Sequence, residues 1–454
     1  MIDPLRMHID FWNIWKQQSV NRRIFGALIT VGGFTFIVNL LATGKELVVA
    51  HQFGTGDALD ALLIAFLLPS FAINVVAGSF NSALIPTFIR VREKEGSEKA
   101  QRLFSSVMVL NTTMLIIVSV VLALTVSFTL PILGSGFSRQ KLELTRSLFF
   151  VLLPILIMSG LGMTWAAVLN ASERFALAAI SPMIKPVITA VLLLATGKAW
   201  GIYALAAGTV SGFLLETGLL AWGLKREGFH LIPRWYGLDP AMKKVVNQYV
   251  PMVAGALLMS STSLVNQSMA AMLGPGSVSA FNYGTKVLVL VLGIGSTSLS
   301  TAVFPHFSRM VGVNDWSGVR HTLKTYSFLI VFTTVPLTVG LIYFSEPLVR
   351  LFFERGAFTS GDTYLVSQVQ ALFLLQVPFY FLSILIVRLI SSLQANHILL
   401  WGAVISLPLS IILNYLLIQW WGVAGIALST SMVYFVSFCY LLYMLVSLLK
   451  ENYS

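Results

Sequence analysis

The feature that most constrains the fold of this 454-residue chain is a succession of apolar stretches. Each is near or above the roughly 20 residues that an α-helix needs to cross a bilayer. Twelve can be read, at about 24–42, 58–80, 103–130, 147–168, 175–196, 200–223, 249–273, 281–305, 325–345, 364–391, 398–420 and 422–448. Because hydrocarbon offers no partner to backbone polar groups, the sequence predicts an all-α integral membrane protein.

Composition and charge agree with that prediction. The chain is 57% hydrophobic and 10% charged, far from the roughly 25% charged residues of soluble domains. The net charge of +11 would suit nucleic acid, yet most of the 29 lysines and arginines fall in loops on one side of the predicted bundle. This positive-inside pattern predicts a multi-pass protein with both termini in the cytoplasm and no nucleic-acid partner.

An internal repeat divides the chain. The pattern at 84–90, which ends in Pro-Thr-Phe-Ile-Arg, returns at 303–309 as Pro-His-Phe-Ser-Arg, and Trp-Gly at 200–201 returns at 421–422. The offset is about 220 residues and corresponds to six helices. An even number of helices brings the chain back to the same side, so the repeats should be parallel.

The repeat predicts two six-helix lobes, residues 1–223 and 248–454, joined by a basic cytoplasmic loop at 224–247. In transporters built from such repeats the substrate site lies between the lobes, and rocking of one lobe against the other gives alternating access. The repeat therefore favours a transporter.

Five segments carry a family resemblance: 53–60 (Phe-Gly-Thr-Gly-Asp-Ala-Leu-Asp), 65–69, 78–86, 283–305 and 351–359 (Leu-Phe-Phe-Glu-Arg-Gly-Ala-Phe-Thr). In order and spacing they resemble the MurJ/MviN lipid II flippase family of the MOP exporter superfamily. The resemblance implies a V-shaped, MATE-like bundle in the bacterial cytoplasmic membrane, around a cationic cavity that binds the pyrophosphate of an undecaprenyl-linked sugar.

The resemblance also implies what the protein works with. Its substrate would be a lipid-linked sugar pyrophosphate for the cell wall or a surface polysaccharide, and its partners membrane lipids and the enzymes of those pathways. No cofactor is expected, and either the membrane potential or Na⁺ or H⁺ would supply the energy.

The predicted site follows the family motif with departures. The family's cavity arginines fall on Asn39 and Lys45 in the first helix and on Lys286 in the eighth, and the arginine after the Leu-Pro of helix 2 has no match. Lysine lacks the bidentate fork of arginine, so recognition of the pyrophosphate should differ. Lipid II and a related polysaccharide repeat unit both remain candidate substrates.

Charged residues inside helices complete the prediction, because intramembrane charges are functional candidates by default. The expected cavity residues are Lys45, Lys286, Lys185, Asn39 and Asp60, with Glu46 and Glu216 as pairing or ion-coupling groups. A purely structural role is the alternative to a functional one for these residues. Lys286 would snorkel to the surface, Asp60 would complement a helix dipole, and Glu216 would make an inter-helix contact.

Two other functions fit the sequence less well. A multidrug exporter of the same superfamily is the runner-up, although such a pump should favour acidic cavity residues over the mostly basic ones here. A membrane-embedded glycosyltransferase or ligase would need a cluster of acid/base groups or a metal, and neither the loops nor the six histidines show one. The sequence therefore predicts no catalytic residues and no metal site.

Overall fold

The structure is a computed structural model that describes residues 32–451, without the side chains of residues 294, 297, 298, 300–302 and 451. Nine stretches of the described chain are long and apolar enough to cross a membrane. One of them, His397–Lys450, consists of two helices that meet at Gly422, and Pro240–Ala271 and Ser277–Gly312 are two further long helices. Together they make the twelve helices that the sequence predicts.

The helices are numbered here in chain order. Their bounds are α1 Gly32–Phe53, α2 Asp57–Glu95, α3 Ser97–Leu133, α4 Arg139–Ala171, α5 Phe175–Trp200, α6 Ile202–Arg226, α7 Pro240–Ala271, α8 Ser277–Gly312, α9 Trp316–Tyr343, α10 Ser360–Ser392, and α11 and α12 on either side of Gly422 in His397–Glu451.

Several of these helices are interrupted. A π-helical segment, Ile73–Gly78, lies within α2, and a 3₁₀ turn, Ser181–Met183, lies within α5. α4 is interrupted at Leu153–Pro154, and α10 is divided into two parts, Ser360–Leu374 and Val377–Ser392. A separate short helix, Ser345–Phe353, lies between α9 and α10. Such breaks are tolerated at membrane depth only where protein or a cavity surrounds them.

The first helix ends later than predicted. The expected end at residue 42 is wrong, because α1 continues to Phe53 and places Lys45 and Glu46 inside the helix. Their charges suggested a loop, but each pairs with the other and so has a partner within the bundle. The start of the predicted stretch and both chain termini lie outside the described residues.

Side-chain caps mark where helices begin. Asp239 accepts a hydrogen bond from the Met242 N–H (2.7 Å) at the start of α7, and Thr359 and Asp362 form a capping box at the start of α10. A side-chain oxygen at this position satisfies a backbone donor that the helix cannot pair itself.

The predicted repeat coincides with a shared backbone conformation. Trp200 is followed by Gly201 (φ 53°, ψ −131°) between α5 and α6, and Trp421 by Gly422 (φ 52°, ψ −132°) between α11 and α12. Positive φ with this ψ is accessible to glycine and strained for other residues. The same sharp turn between two helices therefore recurs at two positions that are separated by the offset of the repeat.

Packing places α7 along α2, and the start of α8 against the start of α2. α5 packs along α6 in the first half of the chain, and α8 packs against both parts of α10 in the second. α7 contacts the second part of α2, Ser79–Glu95, as well as α11 and α12. The two halves therefore meet along α2, α7 and α8, next to the candidate site.

Candidate functional site

A cavity of about 150 Å³ opens between α1, α2 and α8, next to α4 and α6. Its wall is mainly apolar, with charged and polar groups contributed chiefly by α1 and α8. The lining residues are Lys45, Glu46, Val49, Leu59, Leu62, Leu63, Phe66, Leu152, Leu205, Thr209, Ser279, Asn282, Tyr283 and Lys286. An apolar pocket with a few convergent polar groups is the usual form of a ligand site.

Three charges meet in this cavity. The Glu46 carboxylate lies 2.7 Å from the Lys45 ammonium and 3.1 Å from the Lys286 ammonium, so the carboxylate of α1 bridges two cations from different helices. The side chains of Lys286 and Lys45 are 34% and 25% exposed, and that of Glu46 is 19% exposed. All three side chains line the cavity, and both cations are more exposed than the carboxylate they share.

The arrangement has a net positive charge, since one carboxylate serves two lysines. Charges held away from bulk water interact more strongly than solvated ones, and a cation without a full counterion attracts an anion. We call Lys45, Glu46 and Lys286 the charged trio. Two of the predicted cavity cations and the predicted pairing carboxylate come together in it.

Tyr283 adds an uncharged polar group to the wall. Its ring packs against Phe353 (5.2 Å between centroids) and Phe358 (5.5 Å). Its hydroxyl is buried and has no hydrogen-bond partner within residues 32–451. Buried polar groups are normally satisfied, so this hydroxyl lacks the hydrogen-bond partner that a water or a ligand would supply.

Asp60 lies outside the lining of the cavity and is 1% exposed. Its carboxylate accepts hydrogen bonds from the backbone N–H groups of Gly276 and Ser279 and from the Ser279 hydroxyl, each at 2.8 Å. Lys141 donates to Asp60 (2.9 Å) and to Asp57 (2.5 Å). The carboxylate thus caps the N-terminus of α8, where the helix dipole favours an anion, from the other half of the chain.

More contacts surround this group, which we call the Asp60 cluster (Asp57, Asp60, Lys141, Gly276 and Ser279). The Thr55 hydroxyl donates to Asp362, and the Ala357 N–H donates to the His51 carbonyl (2.8 Å). Gly54 has φ +54°, and a Cβ there would collide with the Ala357 carbonyl oxygen. The two motifs at 53–60 and 351–359 therefore contact each other and join the halves of the chain at this end.

The halves also touch further along α2, near the start of its second part, Ser79–Glu95. The Phe80 ring stacks on the Tyr249 ring of α7, with centroids 3.9 Å apart. Offset aromatic stacking contributes about 0.5–1.5 kcal/mol beyond burial. The cavity thus lies between two regions of contact between the halves of the chain.

The remaining predicted residues lie apart from the cavity. Lys185 pairs with Glu216 (3.0 Å) and lies over the Phe213 ring (4.8 Å), between α5 and α6. A Cβ on Gly212 would lie 2.9 Å from the Lys185 Cα, so the two helices touch at this point. Asn39 is exposed on α1, two turns or roughly 10 Å before Glu46 on the same helix face.

Sequence reasoning missed Lys141, Ser279 and Tyr283. Lys141 reads as a loop charge, although Ser138 three residues earlier is a typical cap and its side chain does accept from the Lys141 N–H (3.3 Å). That cap was the available signal that Lys141 lies in a helix. Within residues 32–451 no group of three or more His, Cys, Asp and Glu is placed to hold a metal.

These helices and motifs agree with a known family. The family profile described as "Lipid II flippase MurJ" matches residues 49–450, which is most of the chain. The chain belongs to the lipid II flippase MurJ family. With its apolar helices, this MurJ-family chain is a multi-pass membrane protein.

Individual MurJ relatives are similar over most of their length. A probable lipid II flippase MurJ of Rhizobium meliloti (strain 1021) is 27% identical over 370 residues, covering 78% of this chain and 68% of the relative. A probable lipid II flippase MurJ of Synechocystis is 25% identical over 437 residues, covering 92% and 81%.

Solved structures show the same fold. A lipid II flippase MurJ in an inward closed conformation superposes with a TM-score of 0.78 at 24% identity, covering 92% of this chain and 87% of that one. An inward-facing MATE-family transporter of the MOP superfamily gives 0.72 at 16% identity, covering 94% and 99%. The predicted MOP-type architecture is thereby confirmed.

Proposed function

We propose that this chain is a flippase that moves an undecaprenyl-pyrophosphate-linked sugar precursor, lipid II or a related polysaccharide unit, across the cytoplasmic membrane. The observation that carries the proposal is the charged trio, which places a net positive charge in a cavity between α1 and α8 of a MurJ-family chain.

The chemistry of the cargo requires such a cavity. A diphosphate head group cannot cross hydrocarbon unaided, since burying an unpaired ionised group costs many kcal/mol. Lys45 and Lys286, which line the cavity, would bind the pyrophosphate, and Tyr283 would donate to a phosphate or sugar oxygen once the cavity opens. The polyprenyl chain would remain in the bilayer.

The size of the cavity supports alternating access. Sites for small ligands usually enclose about 300–1,000 Å³, whereas this cavity has about 150 Å³. The six-helix lobes, 1–223 and 248–454, would therefore have to separate to admit the head group. Release on the other side would require the Asp60 cluster to open, which gives Asp60 a gating role.

The orientation and energy source belong to the same proposal. Both termini and the basic segment 224–247 would face the cytoplasm, as the distribution of cations predicts. Movement of an anionic head group outward would draw on the membrane potential or on coupling to Na⁺ or H⁺, with Lys185 and Glu216 as a candidate ion-coupling pair. Enzymes that make or polymerise the precursor would be its partners.

Complementation tests the function. In a bacterium depleted of its own MurJ, the full chain should restore growth, Lys286→Arg should retain most of that rescue, and Lys286→Ala should abolish it. Lys198→Ala removes an exposed cation at the end of α5 and should behave as the unaltered chain.

Membrane expression of each variant would be measured in parallel. Lysis despite full expression of the unaltered chain would exclude lipid II and leave the related polysaccharide units. Those would then be tested in strains that lack an exopolysaccharide or O-antigen flippase. Equal rescue by Lys286→Ala and the unaltered chain would contradict the role of the trio.

A further inference from the structure

A second and larger hollow lies at the other end of the bundle from the Asp60 cluster. It has a volume of about 1140 Å³ and opens between the start of α3, the end of α6 and the segment that joins the two halves of the chain. Its lining consists of Glu98, Gln101, Arg102, Ser105, Ala221, Trp222, Lys225, Gly228, Phe229, His230, Leu231, Ile232, Arg234 and Tyr236. We call it the linker groove.

The joining segment forms a fixed wall of this groove. Gln101 of α3 bonds to His230 twice, donating to its carbonyl (2.9 Å) and accepting from its N–H (3.1 Å). The Ser105 hydroxyl accepts from the Arg234 N–H (2.7 Å), and the Phe229 ring packs edge-on against Phe104. The joining segment lies outside helices and strands, so its backbone groups need other hydrogen-bond partners. Side chains of α3 supply them.

The groove carries cations without counterions. Arg102 is paired with Glu98 (2.7 Å), but within residues 32–451 neither Lys225 nor Arg234 forms an ion pair. Arg226, next to the groove, lies over the Trp222 ring (5.4 Å). Because Lys225 belongs to α6 and Arg234 to the joining segment, an anion held between them would bridge two separate parts of the chain.

Large apolar side chains border these cations. Ile232 is 72% exposed and Trp222 55% exposed, and both line the groove. Tryptophan and tyrosine concentrate at the membrane–water interface, where lysine and arginine meet lipid phosphates. An exposed apolar rim next to free cations complements an amphipathic anion better than it does a nucleic acid or an acidic peptide.

We propose that the linker groove binds an anionic phospholipid of the surrounding leaflet. Its phosphate would lie between Lys225 and Arg234, and its acyl chains would run along Trp222 and Ile232. The bound lipid would hold the joining segment against α3 and α6. This site is separate from the charged trio and does not depend on the substrate of the transporter.

Lipid titration of the purified full chain tests the proposal. Binding of short-chain phosphatidylglycerol and phosphatidylcholine is measured by native mass spectrometry for the unaltered chain, for Lys225→Gln/Arg234→Gln, and for Lys243→Gln/Lys244→Gln. The last variant removes the same charge from exposed positions at the start of α7, outside the groove.

The unaltered chain should prefer phosphatidylglycerol. The groove variant should lose roughly 25-fold in affinity for it, since each of the two cations near a lipid surface contributes about a factor of five. The control variant should keep its affinity, and phosphatidylcholine binding should be the same for all three. Thermal unfolding verifies the fold of each variant. Lys225→Gln alone removes one of the two groove cations and should cause a smaller loss of affinity for phosphatidylglycerol.

Three outcomes would overturn the assignment. Equal losses of affinity for phosphatidylglycerol in the groove and control variants would indicate diffuse electrostatic attraction rather than a binding site. Equal affinity of the unaltered chain for the two lipids would remove the role of the anionic head group. Displacement of phosphatidylglycerol by far lower concentrations of a short polyprenyl pyrophosphate would assign the groove to the transported lipid.

Discussion

At the scale of single residues, one carboxylate organises the cavity. Glu46 holds Lys45 and Lys286 together across two helices, and its negative charge offsets the repulsion between the two lysines. The carboxylate also competes with any anionic substrate for the same two ammonium groups. Binding and release of a pyrophosphate should therefore depend on Glu46 as much as on the lysines.

We expect Glu46→Gln to strengthen substrate binding and slow transport. Loss of the competing charge should raise the affinity for a short-chain polyprenyl pyrophosphate about tenfold, which corresponds to ~1.4 kcal/mol. Binding to the purified protein and transport in vesicles would be compared. The control Glu143→Gln removes an exposed carboxylate at the start of α4 and should change neither quantity. Unchanged affinity of Glu46→Gln for the polyprenyl pyrophosphate would mean that the charged trio does not bind the substrate.

At the scale of helices, the two Trp-Gly junctions show how a repeat in sequence becomes a repeat in backbone. Gly201 and Gly422 have almost the same φ and ψ, and each turns the chain sharply between two membrane helices. Open space surrounds both glycines, so the constraint is conformational rather than steric.

Alanine at either junction should destabilise the protein by about 1–3 kcal/mol, since the backbone conformation is strained for any residue with a Cβ. Gly201→Ala and Gly422→Ala should lower the Tm by similar amounts. Gly218→Ala, in a helical position of α6 with open space around it, should be neutral or stabilising. Thermal unfolding in detergent measures all three. A fall in Tm for Gly218→Ala as large as for the two junction variants would refute the conformational explanation.

At the scale of the whole molecule, the two halves touch on both sides of a cavity that is small for a sugar head group. One contact region is built around the Asp60 cluster and the pair Thr55–Asp362, the other around Phe80 and Tyr249. In the proposed mechanism these regions would open in turn.

A disulfide across the first region should stop transport. Thr55→Cys/Asp362→Cys, in a background where the single cysteine is removed by Cys439→Ser, joins side chains that are hydrogen-bonded in the structure. We expect oxidation to abolish complementation or vesicle transport and reductant to restore it, while each single-cysteine variant stays insensitive. Full transport by a chain shown to be cross-linked would mean that this end never opens.

The membrane class, the twelve helices and the family all followed from the sequence, because each depends on local properties. A bilayer requires about 20 apolar residues per helix and backbone pairing within it, so hydropathy predicts the number of helices and their order, although not every helix end. The motifs at 53–60 and 351–359 predicted the family, which the profile match confirms. Intramembrane charges pointed to Lys45, Glu46 and Lys286 as candidates, and the structure brings them together.

Only the tertiary structure decided which charges meet. Asp60 caps α8 across the two halves of the chain, Lys185 is paired with Glu216, and Lys141 belongs to a buried cluster rather than a loop. Each of these partnerships joins residues distant in sequence, and the end of α1 at Phe53 likewise depends on charges being paired within the bundle. Hydrophobicity places a helix in the membrane, but the neighbour that each face meets is set by packing.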